Sequence, residues 1–337
     1  MKALTTSGAE HVDAGAFARS TLDTPSCAVG EVLVRIEAVS VNPVDTKVRA
    51  GHLTPIDAPI VLGWDACGVI EAVGDGIDHF SVGERVYYAG DVTKPGCNSE
   101  LQCVDARLVA KAPTRLDPVE IAALPLTSLT AWEGLFDKLA LEEGANSHAG
   151  KRILVINGAG GVGSMVIQLA KALTGLEVIA TASRTMSRQW CESLGADRVL
   201  DHHMLDSELD RAGIETVDYV FCCHDLTVHW DTIVERIAPF GQILAIVEAH
   251  DPPNITALQT KSATLHWEFM FTRSMYSAEP ERQGQLLTRL AALLDAGTVR
   301  TTLGEIMGPL TPENLARTHK RLEEGHTIGK LVLTKLP

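Results

Sequence analysis

The sequence predicts an α/β protein with two domains, one rich in β-strands and one built on a doubly wound parallel sheet. The chain has 337 residues, which fit about two domains at roughly 100–200 residues each. Short strand-like segments divided by turn residues fill the chain to residue 126. Beyond that point strand and helix patterns alternate, which indicates βαβ units around a parallel sheet.

The strands predicted in the first part are rich in β-branched and apolar residues. They are Glu31–Val39, Ala66–Val73 and Glu84–Tyr88. Gly, Pro, Asn and Asp cluster between them, as at Asn42-Pro43, and mark turns. We therefore expect a small barrel or sandwich.

The second part opens with a predicted helix, Leu126–Leu135, with Thr127 or Ser128 as its N-cap. Arg152–Ile156 is a short apolar run typical of a strand buried on both faces, and the apolar residues of Ser164–Leu173 have helical spacing. Further strands are predicted at Glu177–Ala180, 199–200, Val217–Cys222, Gln242–Val247, Thr264–Phe271 and Lys330–Thr334. Further helices are predicted at Met186–Leu194, closed by Gly195, and at Glu281–Ala296 and Pro312–Glu324.

Composition excludes several classes of protein. Lys and Arg number 29 against 43 Asp and Glu, so the net charge is −14, and such a chain has no general attraction for nucleic acids or anionic membranes. No apolar run reaches about 18 residues, and no signal peptide is recognisable. Seven cysteines, an odd number, do not indicate a disulfide framework. We expect a cytoplasmic protein that acts on a small molecule.

The strongest motif is Gly158-Ala159-Gly160-Gly161-Val162-Gly163, which fits GxGxxG between a predicted strand and a predicted helix. Gly158 allows the tight turn, Gly160 lets the backbone approach a diphosphate, and Gly163 lets helix and strand pack closely. Gly161 and Val162 open the helix, whose N–H groups face the phosphates. The motif predicts a dinucleotide cofactor.

The end of the next strand indicates which dinucleotide. An NAD site usually has a carboxylate there, but this chain has Ser183 and Arg184, with Arg188 one turn later and His202 after the third strand. Arg suits a 2′-phosphate through its fork of donors, so we expect NADP(H). The alternative is that both arginines are solvated surface charges. His202 and His203, if on a strand, would point to opposite faces.

Together these segments resemble the medium-chain dehydrogenase/reductase superfamily, and within it the quinone oxidoreductase branch and the proteins called zinc-type alcohol dehydrogenase-like. The matching segments are Val41–Gly51, Pro59–Gly68, Val82–Val86, Leu124–Trp132, Asn157–Lys171 and Trp267–Met275. The resemblance implies a GroES-like catalytic domain at 1–126 and 272–337, and a Rossmann NADP(H)-binding domain at 127–271.

The resemblance also allows a test for zinc. Metal-dependent members carry a Cys, a His-Glu pair and a further Cys where this chain has Asn42, Trp64-Asp65 and Leu126-Thr127. A catalytic zinc needs about three N, S or O ligands, and here Asp65 alone qualifies. The lobe for a structural zinc keeps Cys97 and Cys103 in place of four cysteines. We expect no metal.

By resemblance, Asn42 donates to a substrate oxygen and Asp45 holds its loop. Lys47 stands where related quinone reductases have a Tyr, and it is the candidate to replace that residue as proton donor. The apolar walls of the substrate pocket would be Trp64, Phe269 and Phe271, although such residues are also ordinary core. Thr127 and Thr130 would meet the nicotinamide ribose or ring, and Lys330 would touch the cofactor.

The sequence thus predicts NADPH-dependent hydride transfer to a quinone or an α,β-unsaturated carbonyl compound without metal. Such substrates are already electron-poor, so positioning and a few donors can suffice. The alternatives are a zinc-dependent alcohol dehydrogenase and a non-catalytic NADPH-binding regulatory or structural protein. Relatives commonly dimerise through the edge of the Rossmann sheet, so we expect a homodimer through Thr264–Phe271. The alternative is that this apolar segment is a buried last strand of the sheet.

Overall fold

A computed structural model describes residues 1–13, 15–52, 56, 58–251 and 253–337, which fall into two units. The first unit contains Met1–Leu129 and Phe271–Pro337, and the second contains Thr130–Met270. In the described part of the chain, no helix is long and apolar enough to cross a membrane.

The strands, in chain order, are β1 (Lys2–Thr6), β2 (Ala18–Thr21), β3 (Glu31–Val41), β4 (Ile60–Val61), β5 (Ala66–Val73), β6 (Arg85–Tyr88), β7 (Leu101–Asp105), β8 (Ala110–Lys111), β9 (Arg152–Ile156), β10 (Glu177–Thr181), β11 (Arg198–Leu200), β12 (Val217–Cys222), β13 (Ile237–Ala245), β14 (Thr264–Trp267), β15 (Leu303–Pro309) and β16 (Lys330–Thr334). The helices are α1 (Pro43–Arg49), α2 (Pro118–Ala122), α3 (Pro125–Trp132), α4 (Gly161–Leu173), α5 (Thr185–Ser193), α6 (Leu205–Arg211), α7 (Leu226–Arg236), α8 (Thr272–Met275), α9 (Glu281–Asp295) and α10 (Pro312–Glu323).

The first unit is β-rich, as predicted, and β3 is its central strand. Its sheet has the order β15-β16-β3-β5-β6-β8. The amino-terminal half of β3 pairs with β7 and the carboxy-terminal half with β16, on the edge opposite β5. This pairing brings the start of β16, near the carboxyl end of the chain, beside the end of β3. A second sheet has the order β2-β1-β4.

The second unit contains the predicted parallel sheet, with strand order β11-β10-β9-β12-β13-β14. The chain moves outward from β9 through β10 to β11 and then returns to the other side of β9 with β12. The carboxyl ends of β9 and β12 therefore mark a switch point, where open parallel sheets bind their ligands. Helices α6 and α7 contribute Leu209 and Ile233 to a buried apolar cluster that also contains Ile156, Val220 and Ile243.

Most predicted elements are confirmed, with differences at their ends. The strands at Arg152–Ile156 and Val217–Cys222 have the predicted bounds, and Gly195 closes α5 with a φ of 103°. The predicted N-caps of α3 are wrong: the helix starts at Pro125, and Thr127 lies within its first turn. Proline suits a first helical position because it has no N–H to satisfy.

Candidate functional site

A glycine-rich turn joins β9 to α4 at the carboxyl edge of the parallel sheet. Asn157 begins the turn with a φ of 63°, and its N–H donates to Thr181 Oγ1 at 2.9 Å. The N–H of Gly158 donates to the carbonyl oxygen of Thr181 at 3.0 Å. These two bonds fasten the turn to the end of β10.

Packing of the turn requires two of its glycines, Gly158 and Gly163, but not Gly160. A Cβ on Gly158 would lie 2.8 Å from the Cβ of Ala180, and one on Gly163 would lie 2.4 Å from the carbonyl oxygen of Asn157. Both distances are shorter than real contacts, so these two glycines allow α4 to start against the strands. A Cβ on Gly160 would meet Asn157 at 3.3 Å, a contact that a side chain can relieve. The fold can therefore accommodate a side chain at position 160, but that side chain would hinder a ligand that approaches the turn.

The start of α4 fits a diphosphate group. Gly160 is the N-cap, and it is half-buried, as are Gly161 and Val162 in the first turn. The first N–H groups of a helix have no acceptor within the helix and carry the positive end of its dipole. A missing Cβ at Gly160 lets an anion come close to these donors. The residues present thus fit the predicted dinucleotide cofactor.

The residues predicted to bind the 2′-phosphate of the cofactor follow β10. Ser183 is half-buried, and Arg184 is the exposed N-cap of α5. Arg188 has a different role in the structure: its guanidinium donates to the carbonyl oxygens of Ala182 and Val199 at 3.1 and 2.6 Å. Arg188 therefore clamps the ends of β10 and β11, and the candidates for the 2′-phosphate at this position are Ser183 and Arg184.

His202 stands after β11, and its neighbour His203 lies against it. The two residues lie on a short 3-10 turn, His202–Met204, and not on a strand, so the alternation of faces expected for a strand does not apply to them. Their ring centroids are 4.2 Å apart. Burial, followed by the charge of His203, lowers the pKa of His202 below its usual value.

A buried polar cluster in the first unit contains Ser40, Asn42, Asp65 and Lys330. Asp65 is its centre: Oδ2 accepts from Ser40 Oγ at 2.7 Å and from Asn42 Nδ2 and Lys330 Nζ at 3.1 Å each. The other oxygen, Oδ1, accepts from the backbone N–H of Leu126 at 3.0 Å. Four donors therefore occupy this carboxylate, which has about four lone-pair sites.

Lys330 completes the polar cluster from the start of β16. Its ammonium donates to the carbonyl oxygen of Val41 at 3.1 Å and to Oδ1 of Asn42, in addition to its contact with Asp65. An ammonium has three donors, and all three have acceptors here. The Asn42 amide is used at both ends, and the side chain is 1% exposed. The structure therefore directs both side chains, predicted to face cofactor and substrate, into the protein interior.

Asp45 adjoins the polar cluster from the first turn of α1. Its Oδ2 accepts from the N–H of Asn42 at 2.7 Å, whereas Oδ1 has no hydrogen-bond partner in the described part of the chain. Burial raises the pKa of Asp45 to about 7, despite the opposing effects of the Asn42 N–H and Lys330. Two buried carboxyl groups, Asp45 and Asp65, thus face one ammonium, and Asp45 can hold a proton near neutral pH.

The predicted aromatic walls divide into buried and exposed residues. Trp64 and Phe271 pack edge to face in the first unit, with ring centroids 6.3 Å apart, and both are buried. The indole N–H of Trp64 donates to the carbonyl oxygen of Asp91 at 3.0 Å. Phe269, in the second unit, is 42% exposed. Trp64 and Phe271 therefore belong to the core in this structure, whereas Phe269 is exposed.

Thr127 and Thr130 both lie in α3 and are buried. The hydroxyl of Thr127 donates to the carbonyl oxygen of Leu124 at 3.3 Å. Lys47 is half-buried in the last turn of α1.

Sequence reasoning missed two groupings. It considered Asp65 as a metal ligand and not as the partner of Lys330, and nothing in the sequence connects residues so far apart. It also missed that His229 lies between His202 and His224. The centroid of the His229 ring is 6.5 Å from that of His202 and 5.7 Å from that of His224. The available signal was that His224 follows a predicted strand of the same parallel sheet.

Comparison with known proteins identifies the family. An alcohol dehydrogenase GroES-like domain model matches residues 28–114, and a zinc-binding dehydrogenase model matches residues 194–333. A zinc-type alcohol dehydrogenase-like protein of Staphylococcus epidermidis is 39% identical over 337 residues and 99% of each chain. The chain is a medium-chain dehydrogenase/reductase.

Other relatives of this dehydrogenase/reductase differ in their named activities. A solved structure from Rhizobium etli, assigned to the zinc-dependent alcohol dehydrogenases, has a TM-score of 0.94 and 39% identity, covering 100% of this chain and 98% of that one. The NADPH-dependent alkenal/one oxidoreductase of Arabidopsis thaliana, a chloroplast protein, is 30% identical over 332 residues, which are 94% of this chain and 75% of the plant protein.

The word zinc in these names predicts a metal site in this dehydrogenase/reductase. The residues at the matching positions do not fit such a site. At the matching positions, the side-chain Oδ1 of Asn42 and the Asp65 carboxylate both face the ammonium of Lys330. A catalytic zinc needs about three ligands and free lone pairs, and here a cation of the chain itself occupies the carboxylate. Over the described ranges, no three His, Cys, Asp or Glu side chains gather as a metal site.

The two cysteines of the expected structural-zinc lobe lie in different surroundings. Cys97 is buried, and its thiol contacts the carbonyl oxygen of Asp65 at 3.7 Å. Cys103 is half-buried, and its thiol interacts with that of Cys27. All seven cysteines of the chain are free thiols.

Proposed function

We propose that this dehydrogenase/reductase uses NADPH to reduce quinones or α,β-unsaturated carbonyl compounds, without a metal. The observation that carries the proposal is the Asp65–Lys330 pair, because it puts a fixed ammonium where metal-dependent relatives have metal ligands. A zinc ion would polarise an alcohol or carbonyl oxygen. Without a metal, electron-poor acceptors are the substrates whose reduction needs the least catalytic assistance from the protein. The relative in Arabidopsis thaliana is named for NADPH and for alkenals and alkenones.

The cofactor would be held by the chain in two places. The N–H groups at the start of α4 would bind the diphosphate, with Gly160 leaving the room it needs. Ser183 and Arg184 would bind the 2′-phosphate, and a guanidinium gives that group two parallel hydrogen bonds. Thr127 and Thr130 remain the candidates for the nicotinamide end. When bound, the reduced nicotinamide supplies a hydride.

The reaction also consumes a proton. Hydride addition to an enone leaves an enolate, and addition to a quinone leaves a phenolate, so one proton must reach the product. Among the described residues, Asp45 is the strongest candidate to hold that proton, since burial keeps its pKa at about 7, close to working pH. Lys47, on the same helix, is the second candidate. Asn42 would then act as a positioning residue that links Asp45 to the Asp65–Lys330 pair.

A second copy of the chain is the expected partner. Strand β14 is the last in the order of the parallel sheet, and its Trp267 is 50% exposed. An apolar edge strand with unpaired backbone groups is a template for pairing with another strand. We propose a homodimer in which two β14 strands meet. The seven free thiols fit a reducing compartment such as the cytoplasm.

The test is a steady-state assay of NADPH oxidation with quinones, alkenals, alkenones, saturated aldehydes and, in the reverse direction, alcohols with NADP⁺. Zinc content is measured on the same protein by elemental analysis, before and after a chelator. We expect turnover with the quinones or the alkenones and no change with chelation. Alcohol oxidation that disappears with bound zinc would contradict the proposal. NADPH binding without any turnover would instead identify a non-catalytic binding protein.

A further inference from the structure

Four imidazoles form a continuous row at the carboxyl edge of the parallel sheet in the second unit. We call them the histidine row: His203, His202, His229 and His224. Their successive ring centroids are 4.2, 6.5 and 5.7 Å apart. His202 and His203 follow β11, and His224 follows β12. Because the strands are parallel, the residues that follow them meet at the same edge of the sheet.

The histidine row contains one buried ring and a charged neighbour. His229, on α7, is 7% exposed, and burial followed by the charges of His224 and His202 lowers its pKa to about 4. The guanidinium of Arg184 acts on His202 electrostatically and disfavours its protonation. Protonation of His202 and of His229 is therefore disfavoured, although both rings can become cationic.

The carboxylates beside the histidine row are engaged in local hydrogen bonds. Asp201 accepts from the backbone N–H of His203 at 2.9 Å. Asp225 caps α7 by accepting from the N–H of Thr227 at 2.9 Å, and it also accepts from the exposed His250 at 2.6 Å. Each carboxylate raises the pKa of a nearby imidazole. Burial and repulsion between the imidazoles have the larger effect and lower the pKa values of His202 and His229.

We propose that the histidine row and Arg184 together bind the 2′-phosphate of the cofactor, and that the row takes up a proton when the phosphate binds. This inference rests on the proposed use of NADPH. A phosphate dianion placed beside the row favours the imidazolium form, since an opposite charge within about 4–6 Å raises the pKa of a histidine. Proton uptake is then linked to binding. The same residues give NADH, which lacks this phosphate, no such advantage.

The experiment is isothermal titration calorimetry of the EDTA-treated full chain with NADPH and with NADH at pH 7.5. Each titration is repeated in buffers of different ionisation enthalpy, so that the proton uptake can be read from the slope. A phosphate monoester has its second pKa at about 6, so at this pH the free cofactor is already a dianion and any uptake belongs to the protein. We expect uptake of about half a proton or more with NADPH and almost none with NADH, from the linkage above.

The variants H202Q and H224Q, alone and combined, test which residues take part. Glutamine keeps a polar side chain and cannot be protonated. We expect the double variant to lose most of the proton uptake and to bind NADPH roughly 5- to 20-fold more weakly, with NADH binding unchanged, in line with a lost charge-assisted bond. The control is H79Q, at a histidine side chain of the first unit that is 60% exposed.

The outcomes separate this inference from the proposed function. If NADPH binds more tightly than NADH but shows no proton uptake, and H202Q/H224Q leaves the preference intact, the histidine row has no role and the cofactor assignment stands. If NADPH and NADH bind alike, or neither binds, the proposed cofactor is wrong and this inference fails with it. The wild-type titration decides about proton uptake even if the double variant does not fold.

Discussion

The ammonium of Lys330 lies 3.1 Å from Oδ2 of Asp65, and both side chains are almost fully buried. Lys330 starts β16, and Asp65 directly precedes β5, so the pair ties the carboxy-terminal strand to the amino-terminal sheet. A buried ion pair is weak evidence of net stabilisation, because desolvation of two charges offsets their attraction. Both members of the pair also bond to the side chain of Asn42, so the pair fixes the geometry of the polar cluster.

Removal of one member of this pair should therefore be costly. Lys330→Met leaves the Asp65 carboxylate buried without a counterion, and we expect a loss of about 3–5 kcal/mol in the free energy of unfolding. Lys111→Met is the matched control, since Lys111 pairs with Glu84 at the surface and should cost less than about 1 kcal/mol. Urea denaturation measures both. The double variant Asp65→Asn/Lys330→Met should recover part of the loss, and equal losses in the single and double variants would contradict this account.

Two glycines of the turn allow binding to be separated from folding. Gly163→Ala places a Cβ 2.4 Å from the carbonyl oxygen of Asn157, so we expect a clear drop in stability as well as in NADPH affinity. Gly160→Ala meets Asn157 at 3.3 Å and should leave the melting temperature nearly unchanged while weakening NADPH binding at least tenfold. Thermal unfolding and fluorescence titration measure the two effects. Unaltered NADPH binding by Gly160→Ala would mean that the diphosphate does not approach this turn.

The sequence predicted much of the fold because its signals were local. Arg152–Ile156 is a strand flanked by charge and glycine, and its bounds follow from five residues. The polar cluster has no such signal, because Lys330 and Asn42 are 288 residues apart in the chain and meet through pairing of β16 with β3. Asn42-Pro43 shows a further limit: it fits a turn, but in the structure Asn42 caps α1 and Pro43 is its first residue.

Arg188 shows that spacing along the chain does not by itself identify the residues of the cofactor site. Its position after β10 is compatible with a phosphate ligand, but a long side chain can also reach back to backbone carbonyls, and spacing along the chain does not distinguish the two. Arg184→Ala should therefore lower the preference for NADPH over NADH about tenfold or more, with little change in stability. Arg188→Ala should instead lower the melting temperature, since it frees the carbonyl groups of Ala182 and Val199. Cofactor titrations and thermal unfolding of both variants check this, and the reverse pattern would move the phosphate site to Arg188.

Asp45 predicts a dependence of stability on pH. Its pKa is about 7 in the folded chain against an ordinary value of 3.8, so between these values the folded state binds more protons than the unfolded state. The stabilisation from this group is complete below pH 3.8 and is lost as the pH rises through 7. Asp45→Asn removes this contribution, and we expect its stability to fall less between pH 5 and pH 8 than that of the wild type. Parallel denaturation curves at the two pH values check this, and identical slopes would show that Asp45 is ionised throughout.

His319 should act in the opposite direction over part of the same range. Burial, followed by the charge of Arg49, lowers the pKa of His319 to about 3, whereas the ordinary value is 6.5. Arg49 Nη1 bonds to Nδ1 of His319 at 3.1 Å, and this needs the unprotonated nitrogen as acceptor. Between pH 6.5 and 3 the unfolded state binds the extra proton, so stability falls as the pH falls. His319→Asn keeps an acceptor for Arg49 and cannot be protonated, so the variant should lose less stability than the wild type on going from pH 6.5 to pH 4. If the wild type and the variant lose the same stability, another group controls the fall in stability at acid pH. The double variant His319→Asn/Asp45→Asn would then show whether the opposite effects of the two residues cancel.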